Sequence, residues 1–296
     1  MTGLAIVTVI HDSAADLDRL LDSIDRHLDP RPALVVVDSG SSDDGADRAR
    51  ERGAAVVTLD GNLGFGAGCN AGLERVDRPV TALVNPDVEL LDDGIGRLAL
   101  AAGEREALLA PRLLNSDGSV QDSAHPRPGT PEALVPALVP RPLLPPPLRR
   151  RYEPWRSDHT RAVGWATAAC LIAPADLLRR LGPFDPGAFL FYEDMELCLR
   201  ARRAGVPTLL RPDVAVRHRG GASTGPALGS RDLPIRARRR REVVAREGPT
   251  ALALDDLSEA ATFAVRSVGN RVLGRGGRLE AARLRALLRA RREMRG

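Results

Sequence analysis

Ala33-Leu-Val-Val-Val-Asp-Ser-Gly-Ser-Ser-Asp-Asp-Gly45 begins with an apolar run and ends in a turn crowded with small polar and acidic residues. Ala33–Val37 is continuous, β-branched and without alternation, so it reads as a strand buried on both faces. The turn leads into a short helix. The same unit recurs on either side. Upstream, Leu4–Ile10 is a second buried strand, broken by His11-Asp12-Ser13. Leu17, Leu20, Leu21, Ile24 and Leu28 follow at helical spacing, with Asp12 or Ser13 as cap. Downstream, Ala54–Leu59 is a strand, Asp60–Gly68 a glycine-rich loop opening a helix through Leu73, and Val80–Val84 a strand ending at Asn85-Pro86-Asp87. Such alternation predicts an α/β fold with a mostly parallel sheet flanked by helices. In these sheets ligands bind beyond the carboxyl ends of the strands, and Asp12, Asp38 and Asp87 all lie at such ends.

Composition sets the bounds. The 296 residues suffice for one large domain with an appendage. At 43% hydrophobic and 3% aromatic, the core must be packed by aliphatic residues and alanine. All 43 basic residues are arginine, which reads as codon bias from a GC-rich genome. A net charge of +4 does not mark a nucleic-acid binder. Cys69, Cys170 and Cys198 form no CxxC and no even framework, which points to a reduced, cytoplasmic compartment. Leu4–Ile10 is too short for a signal-peptide core, and no apolar run reaches membrane-spanning length. Walker A, HExxH and GxSxG patterns are absent.

After residue 106 the pattern changes. Ala107–Leu114 and Val120 predict a hairpin around Asn115-Ser-Asp-Gly118. Pro126–Pro147 reads as a long proline-rich loop, within about 126–150, that excludes regular helix. Arg161–Ala173 predicts a strand carrying Trp165, Pro174–Leu181 a short helix closed by Gly182, and Thr208–Arg217 a strand pair. Residues 1–224 are expected to form one domain and 225–296 a helical, arginine-rich extension. Leu284, Leu287 and Leu288 share a face of its last helix, suited either to an anionic membrane surface or to packing on the protein.

Several clusters could carry chemistry. Asn62-Leu-Gly64-Phe65-Gly66-x-Gly68 through Asn70-Ala-Gly72 contains a GxGxxA match to a dinucleotide fingerprint. The same glycines could instead bring a helix start close to a nucleotide-sugar, or simply form a tight turn. Asp87 can bind a hard divalent cation or cap the next helix. His218, before Gly220-Gly221, can complete a metal shell, contact a phosphate or be structural. Phe184–Gly205 holds three of the five phenylalanines and runs into Glu193, Asp194 and Glu196. Met195, Cys198 and Leu199 mark a helix there, with Gly205 as its C-terminal stop and Glu196–Arg200 spaced as a surface ion pair. An aromatic lead-in delivering carboxylates to a helix start can hold a catalytic base. Equally, Asp194 can be an N-cap and Glu193 a helix-dipole acid.

Taken in order, these segments resemble the family 2 inverting glycosyltransferases of GT-A fold, in particular bacterial rhamnosyltransferase-like members that build cell-wall or surface polysaccharide. Val7–Ser13 is similar to the family's first-strand block, with His11-Asp12 where Tyr-Asn is usual. Val37–Asp43 is similar to its Asp-Asn-x-Ser-x-Asp block, with Ser39 for Asn. Asn62–Gly72 and Asn85–Asp87 follow its Asn-x-Gly-Phe and Asn-Pro-Asp blocks, and Gly182–Asp194 with Arg200 its acceptor and base block. The resemblance implies that Asp38 bonds the nucleobase and that Asp12 and Asp43 shape the nucleotide pocket. Asn62, Gly64, Phe65, Asn70 and Asn85 belong to the same nucleotide-sugar site. It further implies that Asp87 binds Mg2+ or Mn2+, a shell that His218 could complete, and that Asp194 is the general base. Trp165, Phe191 and Glu193 would contact the acceptor. The donor would be a dTDP- or UDP-linked sugar, L-rhamnose by the same resemblance, and the acceptor a lipid-linked or polysaccharide glycan. The basic C-terminus would hold the enzyme on the inner face of the cell membrane. The residues alone leave two other classes open: a nicotinamide-dependent oxidoreductase, and a non-catalytic nucleotide-sugar-binding module.

Overall fold

The computed structural model describes residues 3–139, 144–185, 188–220, 232–272, 274 and 276–294. The expected domain boundary at 224 falls outside them. Contacts divide the chain into two units: residues 1–124 with 155–227, and 125–154 with 228–296.

In the first unit the expected alternation is present: β1 (Leu4–Ile10), α1 (Ala14–His27), β2 (Ala33–Asp38), α2 (Gly45–Glu51), β3 (Ala55–Thr58), α3 (Phe65–Leu73) and β4 (Val80–Val84). Then come β5 (Val88–Leu90), α4 (Gly94–Glu104), β6 (Leu108–Leu114) and the short β7 (Ala124–His125). The predicted hairpin reduces to one antiparallel bridge, Leu114 to Val120. Beyond residue 160 lie β8 (Arg161–Val163), β9 (Trp165–Ala166) and β10 (Cys170–Pro174), so the single predicted strand is three pieces.

The nine-stranded sheet runs β3-β2-β1-β4-β10-β6, then a strand over Thr208–His218, then β5, with β8 paired to the Thr208 strand. β3, β2, β1 and β4 are mutually parallel, and β10 enters antiparallel between β4 and β6. Thr208–His218 is one strand where a pair was expected. Its register against β6 shifts between Arg211 and Ala215, where Pro212 has no N–H to give the ladder.

Both faces of the sheet are covered, which is why β1 and β2 lack alternation. Ile6, Ile10 and Val36 pack with Leu17, Leu20, Leu21 and Ile24 of α1 and with Ile95 and Leu98 of α4. On the other face Val7, Val35, Val37 and Leu83 meet Cys69, Leu177, Leu178, Phe184, Leu197 and Cys198. Glycine decides how closely α3 can approach. A Cβ on Gly68 would lie 2.5 Å from Val9 Cγ1, and one on Gly72 2.4 Å from Val7 Cγ1.

In the second unit the proline-rich stretch contains α5 (Leu134–Leu138) and α6 (Pro146–Tyr152), contrary to the expected loop. The prolines within these two helices fall in first turns, where no intrahelical N–H is required: Pro136 in α5, Pro146 and Pro147 in α6. After α7 (Ala175–Leu181) and α8 (Glu193–Arg203) of the first unit, the second continues with α9 (Asp232–Ala245), α10 (Pro249–Val272) and α11 (Arg278–Glu293). Arg240 makes a bidentate pair with Asp255 at 2.9 and 2.8 Å, and Arg241 pairs with Asp256. The buried face of α11 is Ala286, Leu287 and Ala290, while Leu288 is exposed. The face read from leucines alone is thus rotated toward alanine.

Candidate active site

The site forms where β1, β2 and β4 end. Asp12 follows β1 in a left-handed conformation, φ 49°. Its Oδ1 accepts the Ser42 N–H at 2.6 Å and the Ser42 hydroxyl at 2.9 Å. Those bonds, the Ser42 backbone donor foremost, hold its carboxyl below the usual range. Asp38 closes β2, is buried, and accepts the Ser41 N–H at 2.9 Å. Ser13 holds the N-cap position of α1, as expected, but its side chain makes no capping bond. Asp43 supplies the carboxylate from across the turn, accepting the Ala14 N–H at 2.8 Å, and its other oxygen accepts the Gly45 N–H at 3.1 Å. Its carboxylate is therefore engaged in building the pocket wall.

The glycine-rich loop is tied to that wall. Ser39 Oγ accepts the Leu63 N–H at 3.1 Å, and exposed Asn62 accepts the Gly64 N–H at 3.1 Å. Gly64 has φ 86°, and any Cβ on it would lie 1.8 Å from the Phe189 carbonyl oxygen. A Cβ on Gly66 would lie 3.1 Å from that of Phe184. The glycines thus serve close packing, which removes the basis for a dinucleotide fingerprint. Asn70, expected at the nucleotide-sugar, points elsewhere. Its Nδ2 donates to the Phe184 carbonyl at 2.9 Å and its Oδ1 accepts the Phe184 N–H at 2.8 Å. Phe65 meets the Phe184 ring edge-on at 6.4 Å.

Phe184 begins the segment that leads to α8. Phe191 and Tyr192 are both left-handed, φ 75° and 62°, an uncommon state for bulky residues. Tyr192 occupies the N-cap position of α8 and makes no side-chain capping bond. Asp194 is therefore the second helical residue, not the cap. Its Oδ1 accepts the Met195 N–H at 2.7 Å and its Oδ2 the Ala168 N–H at 3.3 Å. Trp165 packs edge-on to Tyr192 at 6.3 Å. Glu193 starts the helix with its Cβ beside Gly66. Glu196 is not a surface partner: it is buried and pairs with Arg200 at 2.9 Å, while Arg200 also donates to the Leu181 and Pro183 carbonyls. Gly205 ends α8 as predicted, with φ 79°.

One peptide links this carboxylate to the third acidic site. Ala168 donates to Asp194, and the neighbouring Ala169 carbonyl accepts the Asn85 N–H at 2.8 Å. Asp87 is 8% exposed; its Oδ1 lies 3.3 Å from His218 Nε2 and its Oδ2 accepts the Gly220 N–H at 3.0 Å. Burial pushes the Asp87 carboxyl up, but its contacts with His218 and Gly220 outweigh that and hold it below the usual range. Asn85 Nδ2 lies 3.5 Å from the same His218 nitrogen. The other His218 nitrogen, Nδ1, is 2.7 Å from Gln121 Oε1. Sequence reasoning missed Gln121 and Asn115, because polar residues beside a turn carry no pattern of their own.

A glycosyltransferase of GT-A architecture is the class that this fold and this row of strand-end acids define. Comparison agrees: the profile "Glycosyl transferase family 2" matches residues 5–166, more than half the chain. The chain belongs to glycosyl transferase family 2. It is 29% identical over 243 residues to N-acetylglucosaminyl-diphospho-decaprenol L-rhamnosyltransferase of Mycobacterium tuberculosis, covering 75% of this chain and 78% of that one. Its fold is similar to that of the Pyrobaculum calidifontis mannosyltransferase PcManGT, solved with GDP-Man and Mn2+ (TM-score 0.58, 15% identity, 98% and 86% coverage). It is also similar to GalNAc-T7 with UDP, GalNAc and Mn2+ (TM-score 0.57, 15% identity), where it covers 84% of this chain and 52% of that chain. Among the described residues no helix is long and apolar enough to cross a membrane.

Proposed function

We propose that this chain is an inverting, divalent-cation-assisted glycosyltransferase. It would move a sugar, L-rhamnose by analogy with the mycobacterial relative, from a dTDP- or UDP-linked donor to a lipid-linked or polysaccharide acceptor. One observation carries the reading. Contacts run from Asp12 and Asp38 through Ser39 to the glycine-rich loop, from that loop to Phe184 and Phe189, and from Asp194 through Ala168-Ala169 to Asn85, Asp87 and His218.

Asp38 and Asp12 are assigned to the nucleoside, and Asp43 to the wall that orients them. Asp87 and His218 would hold Mg2+ or Mn2+. The fit is good: a buried carboxylate kept ionised and one imidazole nitrogen face each other, a donor set that leaves further positions to diphosphate oxygens and water. Among the described residues no group of three or more His, Cys, Asp or Glu could hold a metal, so the donor must supply the remaining ligands. Once bound, the ion offsets charge developing on the departing diphosphate, worth several kcal/mol.

The acceptor hydroxyl oxygen bonds to the anomeric carbon as that carbon's bond to the diphosphate oxygen breaks. The bonding pair leaves with the nucleoside diphosphate, and the hydroxyl proton passes to Asp194. Two backbone donors fix that carboxylate in place, which is what general-base catalysis requires. Trp165, Phe191 and Glu193 are assigned to the acceptor. Exposed Val272 and Leu279 stand beside Arg271 and Arg278, a chemistry suited to the anionic surface on which a lipid-linked acceptor resides.

The test is Asp194→Asn with dTDP-L-rhamnose and other dTDP- and UDP-sugars as donors. Turnover is expected to fall ~10²–10⁴-fold, while calorimetric binding of the nucleoside diphosphate holds. Near-normal turnover would remove Asp194 from the mechanism.

A further inference from the structure

The His218 imidazole is the end of a hydrogen-bonded chain whose direction is fixed at the other end. Ser119 Oγ lies 2.6 Å from Asp117 Oδ1. A carboxylate only accepts, so the Ser119 hydroxyl must donate to it. Ser119 Oγ is then an acceptor toward Asn115, and Asn115 Nδ2 donates to it at 2.9 Å. That orientation turns Asn115 Oδ1 toward Gln121, whose Nε2 donates to it at 2.9 Å. Gln121 Oε1 is thereby aimed at His218 Nδ1, 2.7 Å away, and an amide oxygen there requires Nδ1 to carry the proton. Reversing any one amide would set two acceptors against each other at the next link.

We infer that Gln121, held by Asn115, Ser119 and Asp117, is a positioning residue that keeps a proton on His218 Nδ1, so that Nε2, beside Asp87, is the nitrogen that exchanges its proton for a cation. The inference rests on the metal assignment above and deepens it. A ring that kept its proton on Nε2 instead would block the nitrogen that faces Asp87 Oδ1. Partners on the distal nitrogen of a ligating histidine set its tautomer, and their loss typically lowers metal affinity 10–100-fold. Neither Gln121 nor Asn115 touches Asp87 in any recorded bond, so their effect has to pass through His218.

Two readouts separate this inference from the metal assignment. In nuclear magnetic resonance spectra of the metal-free full chain, His218 is expected to show a hydrogen-bonded, slowly exchanging Nδ1 proton. It should be lost in Gln121→Leu and kept in Gln121→Glu, whose carboxylate still accepts. Mn2+ titration in the presence of UDP, read by the electron spin resonance of free Mn2+, should show Gln121→Leu weakened by about 10–100-fold and Gln121→Glu close to wild type. Asp87→Ala should abolish specific binding. Wild type lacking the protected Nδ1 proton, or Gln121→Leu binding Mn2+ as tightly as wild type, would overturn the relay. Wild-type Mn2+ affinity indifferent to Asp87→Ala would instead sink the metal assignment, with the Nδ1 proton still deciding the relay.

Discussion

Asn70 gives the sharpest division between a ligand-contacting and a fold-building role. We predict that Asn70→Leu destabilises the protein by about 2–4 kcal/mol and releases the segment leading to Asp194. Two bonds join the Asn70 amide to the Phe184 backbone, at 2.9 and 2.8 Å, across 114 residues of sequence. Phe184 is 2% exposed, so water cannot replace them. A buried backbone group left unpaired costs about 1–3 kcal/mol, and two give about 2–6; local adjustment brings the expectation into the lower part of that range. Asn70→Asp should do little better, since it keeps the acceptor for the Phe184 N–H but sets a carboxylate oxygen against the Phe184 carbonyl. Urea unfolding measures the loss, and turnover should fall with it while UDP affinity in the still-folded protein changes by less than about threefold, under the 1.4 kcal/mol of a tenfold change. Stability changed by less than about 0.5 kcal/mol, with UDP affinity lost, would show that Asn70 contacts the donor and refute the clamp.

The α3 packing predicts opposite signs for two identical substitutions, both read by urea unfolding. Gly72→Ala should cost about 1–3 kcal/mol, because its Cβ would sit 2.4 Å from Val7 Cγ1 and 3.1 Å from Val37 Cγ2. Gly103→Ala in α4 meets nothing within 4 Å and should stabilise by about 0.5–1 kcal/mol; equal effects would discredit the packing account. The three cysteines are free and buried, and burial pushes the Cys170 and Cys198 thiols up to about 12 and Cys69 well above its usual value. Thiolate, the reactive form, is then about 10⁻⁴ of Cys170 and of Cys198 at pH 8, and burial disfavours it at Cys69 as well. A colorimetric thiol reagent should find none in the native protein and three after denaturation.

The half of the sheet around β1, β2 and β4 was legible because those strands are buried on both faces and so spell continuous apolar runs. Legibility fails where tertiary structure overrides a local signal. Thr208–Arg217 reads as a strand pair; it is one strand with a register shift between Arg211 and Ala215, where Arg211 and Asp213 are joined by two bonds at 2.9 and 2.8 Å. Asp43 reads as a pocket residue, but its partner Ala14 lies 29 positions away, a separation that no spacing rule reaches. The order of the acidic residues along the chain was readable. Which of them build the pocket and which face it was not, because that depends on bonds such as Asn70 to Phe184 and Gln121 to His218.

The approach to Asp194 shows how those long-range bonds serve the chemistry. Two consecutive bulky residues in the left-handed region cost of order 1–3 kcal/mol each, so the Phe191–Tyr192 turn persists only if its surroundings over-determine it. They do so at three points. Asn70 grips Phe184 at the start of the segment. Gly64 admits the Phe189 carbonyl in the middle, where any side chain would collide with it. Trp165 packs against Tyr192 at the end. The helix then begins without a side-chain bond from its N-cap residue, which leaves first-turn N–H groups to a carboxylate. Asp194 takes one of them through Met195 and reaches Ala168 with its other oxygen. A capping aspartate would be held by its own helix alone; this one is aimed by the sheet, the glycine loop and β9 together. Backbone strain before α8 is thus the means by which a carboxylate is held between the first turn of its own helix and the Ala168 turn after β9.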